Sequence, residues 1–385
     1  MPPVKSSETH NAKARTHKGA KTNQKIALML LGLVMRSALI IAGVLVICAG
    51  AARAIALLHR NGDVIAYTAL HENGVPGVAL YDIGHQRLMG ITRGALSETL
   101  LGWSRDGDQL AVARDQTSRG GQPRSVIIDL STASTHEFYN TGAYAAFSPD
   151  GRWLALNRLI GASEGALINI DLQTGISQRV TPRDMQTSGS PAWSPDGQHV
   201  LFGGRVGAGS YQIYRYELTT DAIIRLTDYV GNNASPRLSP DGRYVLFQSL
   251  QRRSMAVMII DADGSMPRSL TAGDGFCELP TWSPDSTRVA VICEGLYGTF
   301  GKALFLAHIN SRDVDFLAAT VREIHPQWID NGDAILFVGD DGYFYRIAAP
   351  STPLEGTTSA RPLAERISER QFFGRETYVG VSVRP

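Results

Sequence analysis

The chain has 385 residues, of which 43% are hydrophobic, 8% aromatic and 19% charged, with a formal net charge of +1. This supplies core for two or three domains, or for one large repeat domain, and excludes a disordered chain. Three cysteines exclude a disulfide-stapled miniprotein and a four-thiolate zinc site.

The near-neutral total hides a split. Residues 1–53 hold eight Lys/Arg and one acid, Glu8, which leaves 29 basic and 35 acidic residues in 54–385, a net of −6. An acidic main domain argues against nucleic acid as partner, because phosphate binding needs a basic face. Residues 1–25 are polar and basic with no apolar period and read as a disordered cytoplasmic tail. Residues 26–53 are apolar apart from a few positions such as Arg36 and Ser37. The window from Leu33 to Ala52 has the roughly 20 residues that a helix needs to cross a bilayer. Six Lys/Arg precede the stretch and Arg53 follows it, so the positive-inside rule places the N-terminus in the cytoplasm and the rest outside. A cleaved signal peptide is the rival, since Ala49-Gly50-Ala51 and Ala52-Arg53-Ala54 both resemble a cleavage site. The long basic flank favours an uncleaved anchor, and both readings export the domain. Cys48 then reads as a membrane-buried thiol.

After residue 54 the chain repeats itself. Phe147-Ser-Pro-Asp-Gly151, Trp193-Ser-Pro-Asp-Gly197, Leu238-Ser-Pro-Asp-Gly242 and Trp282-Ser-Pro-Asp-Ser286 each precede an apolar β-run. Looser copies are Trp103-Ser-Arg-Asp-Gly107, Trp328-Ile-Asp-Asn-Gly332 and His59-Arg-Asn-Gly62. The turn position falls at 61, 106, 150, 196, 241, 285 and 331, in steps of 44 to 46. That period belongs to propellers, with four strands to a blade. Pro presets φ and donates no ladder bond, Asp bonds the backbone two residues on, and Gly supplies positive φ. Asp106, Asp150, Asp196, Asp241 and Asp285 are therefore structural turn residues. A third strand follows each hairpin, as in Gln212–Tyr216 and Ala256–Asp261. A short fourth ends in Leu-Thr, as in Arg225-Leu-Thr227. Four strands per unit leave no room for a substantial helix. The ring closes either with Ile55–Leu58 or with Tyr378–Val383 as the first blade's inner strand, and 350–369 reads as a long outer loop.

These motifs resemble the Ser-Pro-Asp-Gly subclass of WD40-like repeats in the TolB family, over about 55–350. The resemblance implies the propeller fold more than a role, because propellers host many unrelated functions. Seven anchors stand where TolB has six blades, and no separate α/β domain precedes them.

Several patterns suggest chemistry. Gly161-Ala-Ser163-Glu-Gly165 matches a nucleophile elbow but lies in a loop between two strands, with no helix after it, so it reads as structural. Asp261-Ala-Asp-Gly-Ser265 begins like a calcium loop yet lacks the third ligand and the distal Glu, which favours a hairpin turn. The nine histidines include no His-x-His or His-x-x-His pair. By repeat alignment Tyr144, Ser190, Ser235, Leu279 and His325 start the inner strands, with Asn233 and Glu278 beside them. Tyr144, Ser190, Asn233, Ser235, Glu278 and His325 are thus the expected binding set at the channel mouth. If Trp282 pairs with Arg288, the same register sets Cys277 opposite Cys293, within reach of a disulfide in an oxidising compartment.

The expectation is an all-β chain, a seven-bladed β-propeller over 54–385 after an N-terminal transmembrane helix; six or eight blades also fit. It acts as a non-catalytic scaffold for a protein or glycan partner in the cell envelope, periplasm or cell surface, with no cofactor, no metal and no nucleic acid. A channel-site lyase or hydrolase and an envelope sensor are the alternatives.

Overall fold

A computed structural model describes residues 64–70, 75–83, 85, 87–90, 92, 97–115, 124–132, 134–139, 144–160, 164–271, 275–299, 301–311, 313–319, 326–354, 363–368 and 381–383. The expectations for the 1–25 tail, the 26–53 span with Cys48, Ile55–Leu58, Ser163 and His325 lie outside these residues. Among the described residues no helix is long and apolar enough to cross a membrane. The only helical turns among them are the 3-10 segments Leu296–Gly298 and Asp330–Gly332.

The repeat unit is a four-stranded antiparallel meander. In one, Met185–Trp193, His199–Val206, Gln212–Glu217 and Ile223–Arg225 pair in chain order. The described strands form five four-stranded sheets and one of eight. The eight-stranded sheet is two such meanders, 232–269 and 276–319, joined by the single parallel pair Met255 and Phe276. The sheet that begins with Val64–Leu70 takes its remaining strand from the end of the chain. Val381–Val383 pairs with Ile65–Tyr67, in the place that a first strand holds elsewhere. Of the two closure options, this is the one adopted.

Each sheet is apolar on both faces and must be covered on both. The hydrophobic clusters accordingly lie between sheets. Leu154, Leu156 and Ile170 pack with Ala111 and Ile127 of the sheet before, and Leu201 and Ile213 with Val245 and Phe247 of the sheet after. One cluster joins Leu336 and Phe344 near the end of the chain to Ile65, Tyr67 and Tyr81 near its start. The stacking therefore returns to where it began.

The Ser-Pro-Asp-Gly segment is a self-sufficient turn. Ser194 Oγ donates to Asp196 Oδ1 at 2.5 Å and accepts the His199 N–H at 2.9 Å. Asp196 Oδ1 also accepts the Gln198 N–H at 2.9 Å. The same bonds recur at Ser148 and Asp150, and at Ser239 and Asp241. In the copy that ends in Ser286 instead of Gly, that residue keeps a positive φ of 61° and its hydroxyl accepts the Asp241 N–H of the preceding repeat at 3.1 Å. The Leu-Thr ends lie just beyond the fourth strands instead of inside them. Their threonine hydroxyls accept third-strand N–H groups, Thr227 from Ile213 at 2.9 Å and Thr271 from Val257 at 3.0 Å.

Two sequence expectations need correction. The first strands begin earlier than the alignment placed them, at Met185, Asn232 and Phe276, so Ser190, Ser235 and Leu279 lie in mid-strand. Register shifts at those points, between Ser188 and Ala192, Ala234 and Arg237, and Glu278 and Thr281. Pro191, Pro236 and Pro280 fall inside the shifts, where a missing N–H breaks no ladder bond. Trp282 pairs with Val289, not Arg288. The irregularity at Leu279 then moves the register by one residue, and Cys277 still meets Cys293. The two sulfurs are bonded.

Gly189 has φ of 74°, and a Cβ there would lie 2.6 Å from Ser235 Oγ and 2.9 Å from Ser235 N. Gly189→Ala is expected to lower stability by roughly 1–3 kcal/mol, read from the urea midpoint, because backbone strain and the neighbouring strand both oppose it. Acid should weaken the turns as a group. The Ser148 and Ser194 hydroxyls, followed by neighbouring amides, hold Asp150 and Asp196 below the usual carboxylate range. Their contribution is complete above the unfolded carboxylate pKa and is lost as pH falls through the lower folded one. Melting temperature should therefore drop below about pH 4. Asp196→Asn, which no longer titrates, should flatten part of that drop.

Candidate functional site

The first strands end at the Ser-Pro-Asp-Gly turns, and their free edges face one another around the axis of the stack. Tryptophans fasten one to the next. Trp193 Nε1 donates to Ala146 O at 3.0 Å, Trp282 Nε1 to Arg237 O at 3.2 Å, and Trp328 Nε1 to Thr281 O at 3.1 Å. In each case the acceptor directly precedes the aromatic or Leu position of the preceding repeat, so the motif residue reads its own counterpart. Phe147 and Leu238 hold the same position without a donor.

These strands enclose a cavity of about 840 Å³. Its wall includes Trp103, Tyr144, Phe147, Trp193 and Trp282, with turn prolines such as Pro195 and Pro240 at its turn-side end. Arg105 and Arg237 add positive charge. Burial holds the Arg237 guanidinium below the usual arginine range. The wall thus offers aromatic rings, strand-edge peptide groups, hydroxyls and two guanidiniums. That combination suits contact with extended chains, acidic groups and ring faces.

Of the expected binding set, Tyr144 and Ser190 line this cavity. Tyr144 is 48% exposed, which makes it the most available of the five described members of the set. Ser235 is half-buried behind Gly189, at φ of 54°. Asn233 is fully buried, and its Nδ2 donates to Gln212 Oε1 at 2.9 Å. The same oxygen accepts the Thr227 hydroxyl at 2.7 Å, so Asn233 helps tie the linker between two repeats to the sheet. Glu278 pairs with Ile292 beside the Cys277–Cys293 bond and is half-buried. The structure brings together two of the six, and sets three elsewhere among the described residues.

Trp103, Trp193, Trp282 and Arg237 were missed as wall residues. The signal was present, since an aromatic heads most copies of the motif, but it reads equally well as core. Asp261–Ser265 is a hairpin turn: Gly264 N–H donates to Asp261 O at 2.9 Å and Ser265 N–H to Asp263 Oδ1 at 2.8 Å. Among the described residues no group of three or more His, Cys, Asp or Glu side chains is placed to hold a metal ion.

The profile of the TolB beta propeller domain matches residues 145–353. No curated protein matches the chain. Among solved structures, TolB from Acinetobacter baumannii is 23% identical with a TM-score of 0.49, over 65% of this chain and 62% of that one. The periplasmic gluconolactonase PpgL of Pseudomonas aeruginosa is 17% identical with a TM-score of 0.53, over 84% of this chain and 100% of that one. An oligogalacturonate lyase from Vibrio parahaemolyticus is 13% identical with a TM-score of 0.56, over 80% and 86%. At such identities the likeness is one of fold.

Trp193→Phe keeps the ring and removes the indole donor. It is expected to cost about 1 kcal/mol of stability, measured by chemical unfolding, with the β-sheet circular dichroism unchanged.

Proposed function

The chain belongs to the TolB beta propeller domain family, and on that premise we propose that it is a seven-bladed, non-catalytic binding scaffold held at a membrane. The two meanders of the eight-stranded sheet, counted with the five four-stranded sheets, support seven blades. Residues 26–53 are the anchor, with the basic 1–25 segment in the cytoplasm and the propeller outside it. The Cys277–Cys293 bond supports that location, since structural disulfides persist in oxidising compartments.

The observation that carries the reading is the character of the central cavity. Tyr144 presents an exposed ring, Trp193 and Trp282 add apolar wall, and six first strands border a volume able to admit a peptide tip or a sugar. Such a wall binds by contact and main-chain hydrogen bonds. A protein partner is favoured, and a glycan suits the same rings.

The test is a photo-crosslinking residue at Tyr144 in envelope-bearing cells. A defined crosslinked protein at position 144, absent when the same residue replaces Ile176 on the outer rim, is the expected result. Turnover of a lactone, oligogalacturonate or peptide substrate that is lost in Tyr144→Ala would replace this reading with a channel-site enzyme. Non-reducing peptide mapping of chain taken from cells should recover Cys277 and Cys293 in one linked fragment. Free thiols at both positions would remove the support for export.

A further inference from the structure

The two faces of the ring differ in charge and in apolar exposure. The Ser-Pro-Asp-Gly turns and the turns after the third strands share one face, linked by Leu172 N–H to Arg152 O at 2.8 Å and Ala262 N–H to Arg243 O at 2.9 Å. Those turns carry most of the aspartates described above. The opposite face is built from the turns between second and third strands and from the linkers into the next repeat.

On that opposite face, over 185–319, Val206, Val230, Leu250, Phe276 and Tyr297 stand exposed. Val230 is 88% exposed and Tyr297 65%. Strand pairing makes them neighbours. Val230 lies two residues before Asn232, which pairs with Leu250; Leu250 pairs with Met255, and Met255 with Phe276. Phe276 pairs with Glu294, three residues before Tyr297. The loop after Val206 joins the row through the Tyr211 N–H, which donates to Asn232 Oδ1 at 3.1 Å. Isolated surface apolar residues need no explanation, but a series that strand pairing strings along one face points to an interaction surface.

Cations edge the row. Arg205 lies over the Tyr211 ring at 4.7 Å. Arg252 and Arg253 form the turn that follows Leu250 and Gln251; both are exposed and neither makes an ion pair among the described residues. The nearby acids are Asp228, which is paired with Arg225, and Glu294, which is exposed beside Phe276 and has Lys302 as its cross-strand neighbour.

We propose that this face docks an acidic, amphipathic segment of a partner protein. Its apolar side covers Val230, Leu250, Phe276 and Tyr297, and its carboxylates meet Arg252 and Arg253. The surface is separate from the central cavity, whose wall lies at the turn ends of the first strands, so it adds a second contact to the scaffold. Charge selects the occupant. A second copy of this chain apposed on the same face would bring the same arginines together. Two free arginines fall short of the roughly 4–8 basic residues that make an anionic-lipid patch.

The test uses the full chain in neutral phosphatidylcholine nanodiscs and fluorescence anisotropy. The probe is a peptide of about 18 residues with Leu and Phe on one helical face and Glu on the other, compared with its Lys-for-Glu counterpart. The acidic peptide should bind, and the Lys version should bind at least about tenfold more weakly. Arg252→Glu combined with Arg253→Glu, and separately Val230→Asp, should each weaken the acidic peptide about tenfold. Val230 is so exposed that its variant keeps the fold, which circular dichroism checks. Equal binding of both peptides, binding of neither, or unchanged affinity in the variants overturns the proposal. So does binding of phosphatidylglycerol vesicles without either peptide, or a dimer in sedimentation that Val230→Asp dissolves.

Discussion

The structure depends on one constraint: a four-stranded sheet with two apolar faces has no stable existence alone. Each sheet here buries its faces against the sheets before and after it. The clusters that join Leu154 to Ile127, Leu201 to Phe247, and Leu336 to Tyr67 are the interfaces that result. Because every face needs a neighbour, the stack has no natural end except its own beginning. The axial cavity is a by-product of that closure. First strands can pair on one side only, so their other edges face a shared space, and the chemistry of that space is set by strand edges and by whatever side chains head the turns.

The repeated motif serves the same end at two scales. Within a repeat, Ser, Asp and Gly close the hairpin through bonds that involve no other sheet. Between repeats, the aromatic that heads the motif reaches back, as Trp282 does to Arg237 O. Arg288 extends the idea in the copy where Ser286 stands for Gly. It is buried, lies over the Trp328 ring at 5.0 Å, and donates to Gly332 O at 3.0 Å and Ala349 O at 2.8 Å in the next repeat. A repeat that departs from the consensus thus makes its own contacts with its neighbours.

The period and the turns were legible because Pro, Asp and Gly act locally, and a local signal survives in a single sequence. Cys277 and Cys293 were legible for a related reason: a hairpin register needs only a turn to count from. The count began one residue off, at Trp282, and the irregularity at Leu279 restored it, which no local rule announces. Asn233 and Tyr144 were beyond such rules. Both are polar residues near the alignment point of an inner strand, yet one faces Gln212 in the interior and the other faces the cavity. That difference is set by strand starts at Asn232 and Tyr144 and by shifts of register, which depend on packing between sheets. The exposed row from Val206 to Tyr297 was equally hidden, since its members are far apart in sequence and meet only through pairing.

The strand at Val381–Val383 has a consequence in time. The sheet that it completes contains the first described strand, so that strand waits until residues 381–383 have been made before its sheet is whole. Until then the edge of Ile65–Tyr67 that residues 381–383 cover stays open. A nascent chain stalled before residue 381 carries an unpaired strand edge that a chaperone or a protease can read.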